Sequence, residues 1–207
     1  MKQANIDSIR NMFRDRTMSV LYAEDRKSAV VVPLVNTEEG LSVLFEVRAR
    51  DIVQGGEVCF PGGAVEEGED SVQTALRETA EELLVDKSGM EIIAPLFSVN
   101  GPGGMEVKSY LGYIENYGGT FSEGEVDHVF TVPVEWFMNN GPLVYDTKME
   151  VVLDDDYPYD LIPGGRNYPF RANPRTFYFY RVKGEVIWGL TGTVLYNFIE
   201  VLKKRFR

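Results

Sequence analysis

Three glutamates, Glu78, Glu81 and Glu82, follow the glycine-rich turn Pro61-Gly62-Gly63 at helical spacing, and this unit constrains the fold more than any other. Residues at i, i+3 and i+4 are neighbours on an α-helix, so the three carboxylates are expected to share one face. Like charges so placed destabilise a helix by roughly 0.2–0.5 kcal/mol per pair. A hard divalent cation removes the conflict, because Mg2+ or Mn2+ takes carboxylate oxygens and keeps positions open for water and phosphate. The stretch Gly63 to Val85 is therefore expected to be a turn and helix that bind metal.

The charge balance supports the same expectation. The 207 residues carry a formal net charge of −11, which argues against a general nucleic-acid partner that needs basic patches. An anionic small molecule is still compatible, provided that bound cations and a few local arginines overcome the overall field. A hydrophobic content of 44%, with 12 Phe and 11 Tyr, is ample for a packed core. Cys59 stands alone, so an intrachain disulfide and a tetrathiolate zinc site are both excluded. No apolar run reaches membrane-spanning length, and residues 1–16 lack the apolar core of a signal peptide. The expectation is a cytoplasmic protein with no membrane partner.

Along the chain, residues 6–18 read as an N-terminal helix within an extension over 1–25. Ala29–Val35 and Leu41–Val47 read as strands joined by the turn NTEEG. A polar loop over 48–56 holds Arg48 and Arg50, and a short strand over Glu57–Phe60 leads into the glycine turn. The helix that follows is expected to start near Ser71 and to bury Val72, Ala75, Leu76, Thr79 and Leu83. Strands are expected over Glu91–Val99 and Met105–Glu115, around GPGG at 101–104. A short helix after Pro133 should stop at Asn139-Asn140-Gly141-Pro142. Strands near Leu143–Leu153 and Thr176–Trp188 flank a long loop over 154–175, and a helix over 189–207 closes the chain. With neither linker nor repeat, one α/β domain spanning 1–207 is expected, with helices on a mixed sheet.

The spacing Gly63, Glu69, Arg77-Glu78, Glu81-Glu82 resembles the Nudix box, G-x5-E-x7-R-E-U-x-E-E-x-G-U, in which U is aliphatic. Thr79 stands at an aliphatic position, and Leu84 replaces the last glycine. The resemblance implies the Nudix fold, an α/β/α sandwich with a mixed central sheet. It also implies hydrolysis of a nucleoside diphosphate linked to another group. Carried over by position, Glu78, Glu81 and Glu82 would be metal ligands with the carbonyl of Gly63, and Glu69 and Arg77 their structural supports, with Arg77 orienting the glutamates. The catalytic set would be Glu78, Glu82 and Arg77, with the base supplied by the box or by a later loop. Glu123 and Glu125 are the loop candidates, and Glu125, in GEVDHVFTVP, is the preferred extra ligand or base.

Two further segments resemble coenzyme A diphosphatases within that family. Gly56, Val58, Phe60, Pro61, Gly62 and Gly63 match G-x-V-x-F-P-G-G ahead of the box, and Trp188-Gly189-Leu190-Thr191 matches a W-G-L-T helix start. The loop between Arg48 and Gly56 is shorter than the family's, and Ile52 or Val53 falls where its second arginine stands. Together the resemblance covers about residues 29–203. It implies cleavage of coenzyme A or a derivative into 4′-phosphopantetheine and 3′,5′-ADP. Arg48, Arg50, Gly62 and Gly63 would then contact substrate, since arginine forks suit phosphate oxygens. ADP-ribose or a nucleoside diphosphate sugar is the alternative substrate, and a nucleotide-binding domain without turnover is the alternative class.

Other residues have plainer readings. Cys59 fits a small buried hydrophobe, His128 a surface role beside Asp127, and Asp154-Asp155-Asp156 a solvated loop. The aromatic set of Tyr157, Tyr159, Tyr168, Phe170 and Phe177 to Tyr180 fits packing or a homodimer contact, with adenine stacking as the alternative.

Overall fold

The computed structural model describes residues 27–100, 105–148, 150–170 and 174–206. The helix expected over 6–18, its extension over 1–25 and the 101–104 connection lie outside the described residues.

Strands β1 (Lys27–Thr37) and β2 (Gly40–Arg48) form the expected hairpin, closed at Gly40, whose φ of 101° suits glycine. Their mutual register runs only from Thr37↔Gly40 to Leu34↔Val43. Beyond that point the two strands splay, and two short strands fill the split. β3 (Val58–Cys59) pairs with β2 at Glu46 and Val47, while β4 (Gly62–Ala64) pairs with β1 from Ser28 to Val30. The glycine turn is thereby wedged into the sheet instead of standing above it.

β5 (Met90–Asn100) pairs antiparallel with β6 (Glu106–Ile114), and β6 runs parallel to β1. β7 (Val126–Pro133) lies antiparallel to β2. The result, among the described residues, is a mixed sheet of seven strands. β7 is a finding that the sequence reading did not include, since Asp127, His128 and Thr131 blur its alternation.

Strand parity sorts the core into two layers. Ala29, Val31, Val35 and Leu44 face helix α1 (Ser71–Leu83), where Ala75 and Leu83 complete the packing. Val32, Leu34, Val43 and Phe45 face the other way, against Phe137 of α2 (Val134–Asn139) and Val194, Leu195, Phe198 and Ile199 of α3 (Gly189–Phe206). Each such leucine or phenylalanine contributes about 1.5–3 kcal/mol by burial. The architecture is the expected α/β/α sandwich. Asp70 caps α1, accepting from the N–H groups of Val72 and Gln73, with the Gln73 side chain closing a capping box on the Asp70 N–H.

The C-terminal strands do not join that sheet. β8 (Leu143–Thr147), β9 (Arg175–Val182) and β10 (Glu185–Ile187) form a separate three-stranded antiparallel sheet. The run expected to continue to Leu153 stops at Thr147. The segment over 176–188 divides at Lys183-Gly184, both with positive φ, which turns it into a hairpin. Tyr178 stacks on Tyr196 of α3 at 3.8 Å, and Tyr180 is buried, so the small sheet rides on that helix. Tyr157, Tyr159, Tyr168 and Phe170 pack edge to face within the long loop, while Asp154-Asp155-Asp156 is exposed as expected. Among the described residues, no helix is long and apolar enough to cross a membrane.

Candidate active site

Arg77 is the hub of α1. Its Nε and Nη2 donate to the two carboxylate oxygens of Glu69 at 2.8 and 3.0 Å, a bidentate fork. Its Nη1 donates to Glu78 at 2.9 Å and to Glu81 at 3.3 Å, and Nη2 also reaches the Ala64 carbonyl at 3.4 Å. The hydrogen bond from Arg77, assisted by one from Thr74, holds the Glu69 carboxyl down to about 2. Glu69 and Arg77 thus tie the loop before α1 to the helix.

The three box glutamates do not present one common face. Successive helical residues turn by about 100°, and Glu81 and Glu82 diverge accordingly. Glu82 is 4% exposed and points inward, Glu78 is half-buried, and Glu81 stays exposed beside Arg77. The Gly62 N–H donates to Glu82 Oε2 at 2.8 Å. A side chain on Gly62 would collide with the backbone of β1, so glycine is required there, and one on Gly63 would displace the Glu78 carboxylate. Burial pushes the Glu78 and Glu82 carboxyls above the ordinary carboxylate range.

The two departures from the box have local explanations. Thr79 is fully buried, and its hydroxyl donates to the Ala75 carbonyl at 2.7 Å, so an aliphatic site accepts it. Leu84 caps the helix at φ 52° and ψ 46°, the left-handed conformation for which glycine is favoured. Its side chain is 59% exposed. The helix exit is tied down elsewhere, by the Thr120 hydroxyl on the Leu83 carbonyl and the Ser122 N–H on the Glu82 carbonyl.

A fourth carboxylate, absent from the sequence reading, joins the group. Glu46 lies two residues after Leu44 on β2 and so faces the same side of the sheet as α1. It is 1% exposed. Cys59 donates its thiol hydrogen to Glu46 Oε1 at 3.1 Å, while Oε2 has no partner. Burial raises the Glu46 carboxyl, and Glu46 in turn raises Glu82. Burial, reinforced by Glu46, also pushes the Cys59 thiol up, which rules it out as a ready nucleophile. The signal for Glu46 was available: a charged residue at an inward position of an otherwise apolar strand.

Glu125 is exposed on the loop before β7, where its carbonyl accepts from the Ala49 N–H at 2.9 Å, and its charge bears on Glu46 and Glu78. Glu123 is exposed and has no recorded contact with the cluster. Arg48, at the end of β2, donates Nε to the Val53 carbonyl at 3.1 Å and lowers both Glu46 and Glu82 by its charge. Arg50 is exposed in the following turn and does not line the cavity described next. His128 bridges Asp127 and Glu185 at 2.8 and 3.3 Å, the surface role expected of it.

A cavity of about 700 Å3 meets the cluster at Cys59, Gly62 and Gly63 and extends past Arg48 to Arg175, Trp188 and the start of α3. Among the described residues, no three acidic, His or Cys side chains are gathered around a single point, because Arg77 holds Glu78 and Glu81 while Gly62 holds Glu82. The donors are nonetheless those of a hard cation: carboxylate oxygens, one of them orphaned in the interior, beside an open glycine turn. Such a cation would also counter the burial that raises these carboxyls.

Comparison with known proteins agrees with this geometry. The NUDIX domain model matches residues 25–149. Nudix hydrolase 3 of Caenorhabditis elegans is 32% identical over 206 residues, covering 96% of this chain and 82% of its own. The Nudix hydrolase NudL of Citrobacter koseri is 28% identical over 172 residues, 82% of this chain and 79% of that one. The peroxisomal coenzyme A diphosphatase NUDT7 of Mus musculus is 30% identical over 148 residues, 69% of this chain and 62% of that one. Nudix hydrolases act on nucleoside diphosphate-linked substrates and generally use divalent metal ions. From its box, its sandwich and these relatives, the chain belongs to the Nudix hydrolase family.

Proposed function

We propose that this chain is a Mg2+- or Mn2+-dependent diphosphatase that cleaves coenzyme A or a derivative into 4′-phosphopantetheine and 3′,5′-ADP. The observation that carries the reading is the junction at Gly62-Gly63, where buried carboxylates on one side meet a cavity bearing Arg48 on the other. The match of Gly56, Val58, Phe60 and Pro61 to the coenzyme A diphosphatase approach supports this substrate, as does similarity to the mouse enzyme of that name. Glu78, Glu82 and the Gly63 carbonyl would hold the cation, with Glu81 and Glu46 at its margins. When bound, the cation supplies charge neutralisation of the diphosphate and a water activated for in-line attack. Arg77 orients Glu78 and Glu81, Glu69 anchors Arg77, and Arg48 offers its remaining donors to the diphosphate oxygens. Glu125, exposed on the loop before β7, would take the proton of the attacking water. Arg50, in its exposed turn, would meet only a part of the substrate that projects beyond the cavity.

The test is incubation of purified protein with coenzyme A, acyl derivatives, ADP-ribose and nucleoside diphosphate sugars, with products identified by mass spectrometry. Metal-dependent release of 4′-phosphopantetheine is expected. Preferential cleavage of ADP-ribose would replace the substrate, and no turnover of any diphosphate with either metal would overturn the enzymatic reading.

A further inference from the structure

Among the described residues, the cavity wall carries two cationic side chains, Arg48 and Arg175. Arg77 commits its donors to three carboxylates and a carbonyl, as described. Arg48 and Arg175 each make one recorded bond to a backbone carbonyl, Arg175 through Nη2 to Asn100 at 3.1 Å. Among the described residues, neither forms an ion pair with a carboxylate. In a chain of net charge −11, two such guanidinium groups facing one cavity mark a place for anions.

Their positions differ in a way that assigns them different anions. Arg48 sits where its charge reaches Glu46 and Glu82, on the carboxylate side of the cavity. Arg175 opens β9 of the small sheet and enters the cavity from there, steadied by Asn100 of β5. The wall beside it is aromatic. Phe177 shares its face of β9, and Trp188 lies in the same wall, stacked on Phe179 at 5.9 Å with ring planes 8° apart. The first turn of α3, Gly189 to Thr191, adds backbone N–H groups that have no helical acceptor. A guanidinium, an aromatic wall and a helix start within one cavity match the chemistry of a phosphorylated nucleoside.

We propose that Arg175 binds a phosphate ester of the substrate that does not react, while Phe177 and Trp188 face the base of the same nucleoside. The inference rests on the diphosphatase reading for its orientation, with the anhydride at the carboxylates and the nucleoside arm in the cavity. For coenzyme A the non-reacting ester is the 3′-phosphate. Arg175 is thus a specificity residue, distant from the bond that breaks.

Calorimetric titration with 3′,5′-ADP and with 5′-AMP, in the same magnesium buffer, tests the subsite without turnover. The wild type is expected to bind the bisphosphate about 10- to 100-fold more tightly, the span of one charge-assisted contact. Arg175→Gln keeps a donor for Asn100 but lacks the charge, and it should abolish that preference while leaving 5′-AMP affinity within about twofold. Arg175→Lys should restore part of it, and Trp188→Ala should weaken both nucleotides alike. Equal affinity of the wild type for the two nucleotides overturns the proposal. So does an Arg175→Gln variant that keeps the preference, or that loses both affinities in the same proportion. An Arg175-dependent preference without hydrolysis of coenzyme A would overturn the proposed function and leave the subsite standing. Hydrolysis with the preference untouched by Arg175→Gln would do the reverse.

Discussion

Glu82→Gln should make the metal-free protein more stable at alkaline pH while removing its activity. Glu82 is buried, has one hydrogen bond, from the Gly62 N–H, and lies near the equally buried Glu46. Its carboxyl is held above its ordinary value of 4.5. From about pH 5 upward, until the raised value is passed, the native state keeps a proton that the unfolded chain has released. Stability of the metal-free protein therefore falls as pH rises through this window, the opposite of a salt-bridged carboxylate. Each unit of elevation removes about 1.4 kcal/mol. Glutamine keeps an oxygen for the Gly62 N–H and carries no charge. An elevation of even one unit predicts that the variant gains about 1.4 kcal/mol at pH ~9, or about 3–6 °C in Tm, and about half of that at pH ~5. Thermal unfolding in chelator at both pH values measures this. Metal should invert the order, since a cation at a hundred times its Kd stabilises the wild type by about 2.7 kcal/mol and has lost a ligand in the variant. Activity should fall on the order of 10²-fold or more. A variant equally destabilised at both pH values would refute the argument that Glu82 is an unwilling buried carboxylate.

Four further outcomes can be checked with ordinary assays. Gly63→Ala should lower kcat on the order of 10²-fold with circular dichroism unchanged, because its side chain would displace the Glu78 carboxylate; near-normal rates would mean that Glu78 is free to move. Leu84→Gly should leave stability within about 1 kcal/mol, since relief of left-handed strain offsets the lost side chain and the looser unfolded state. Leu83→Ala, one residue earlier and fully buried, should cost about 2–5 kcal/mol, and chemical denaturation of the pair separates these cases. Glu125→Gln should reduce kcat by about 10²-fold or more with KM little changed if the loop supplies the base; an unchanged kcat in stopped assays would assign that role to the box.

The glycine turn and the helix of the Nudix box were legible because their residues are close in sequence and stand at fixed spacing. Arg77, Glu69 and the glycines stand where that spacing puts them. Periodicity found the hairpin, α1 and α3, whose apolar faces are continuous. It did not find β7, where Asp127 and His128 occupy strand positions in order to meet Glu185 and solvent. It also assigned Glu81 to the same face as Glu82, although a step of one residue turns the side chain by about 100°. Glu46 and Arg175 were missed for a different reason. Each matters through residues distant in sequence, Glu46 through α1 and Cys59, and Arg175 through Asn100. The small sheet was invisible for the same cause, since strand patterns do not say which sheet a strand joins.

The splay of β1 from β2 has a consequence for how the two helical layers communicate. A continuous sheet is a partition: side chains on its two faces are kept about a sheet's thickness apart, with backbone between them. Here the partition has a gap, and its frame is only Val58–Cys59 and Gly62–Ala64. The acids stand on the α1 side of that frame, and on the other lies a cavity walled by Arg48, by Val99 and Val107 of β5 and β6, and by residues of β9 and α3. On the proposed function, chemistry and recognition are housed on different sides of that frame. On that reading, Arg175, Phe177 and Trp188 are open to substitution that alters substrate preference while the acids, their arginine and the glycine frame stay as they are.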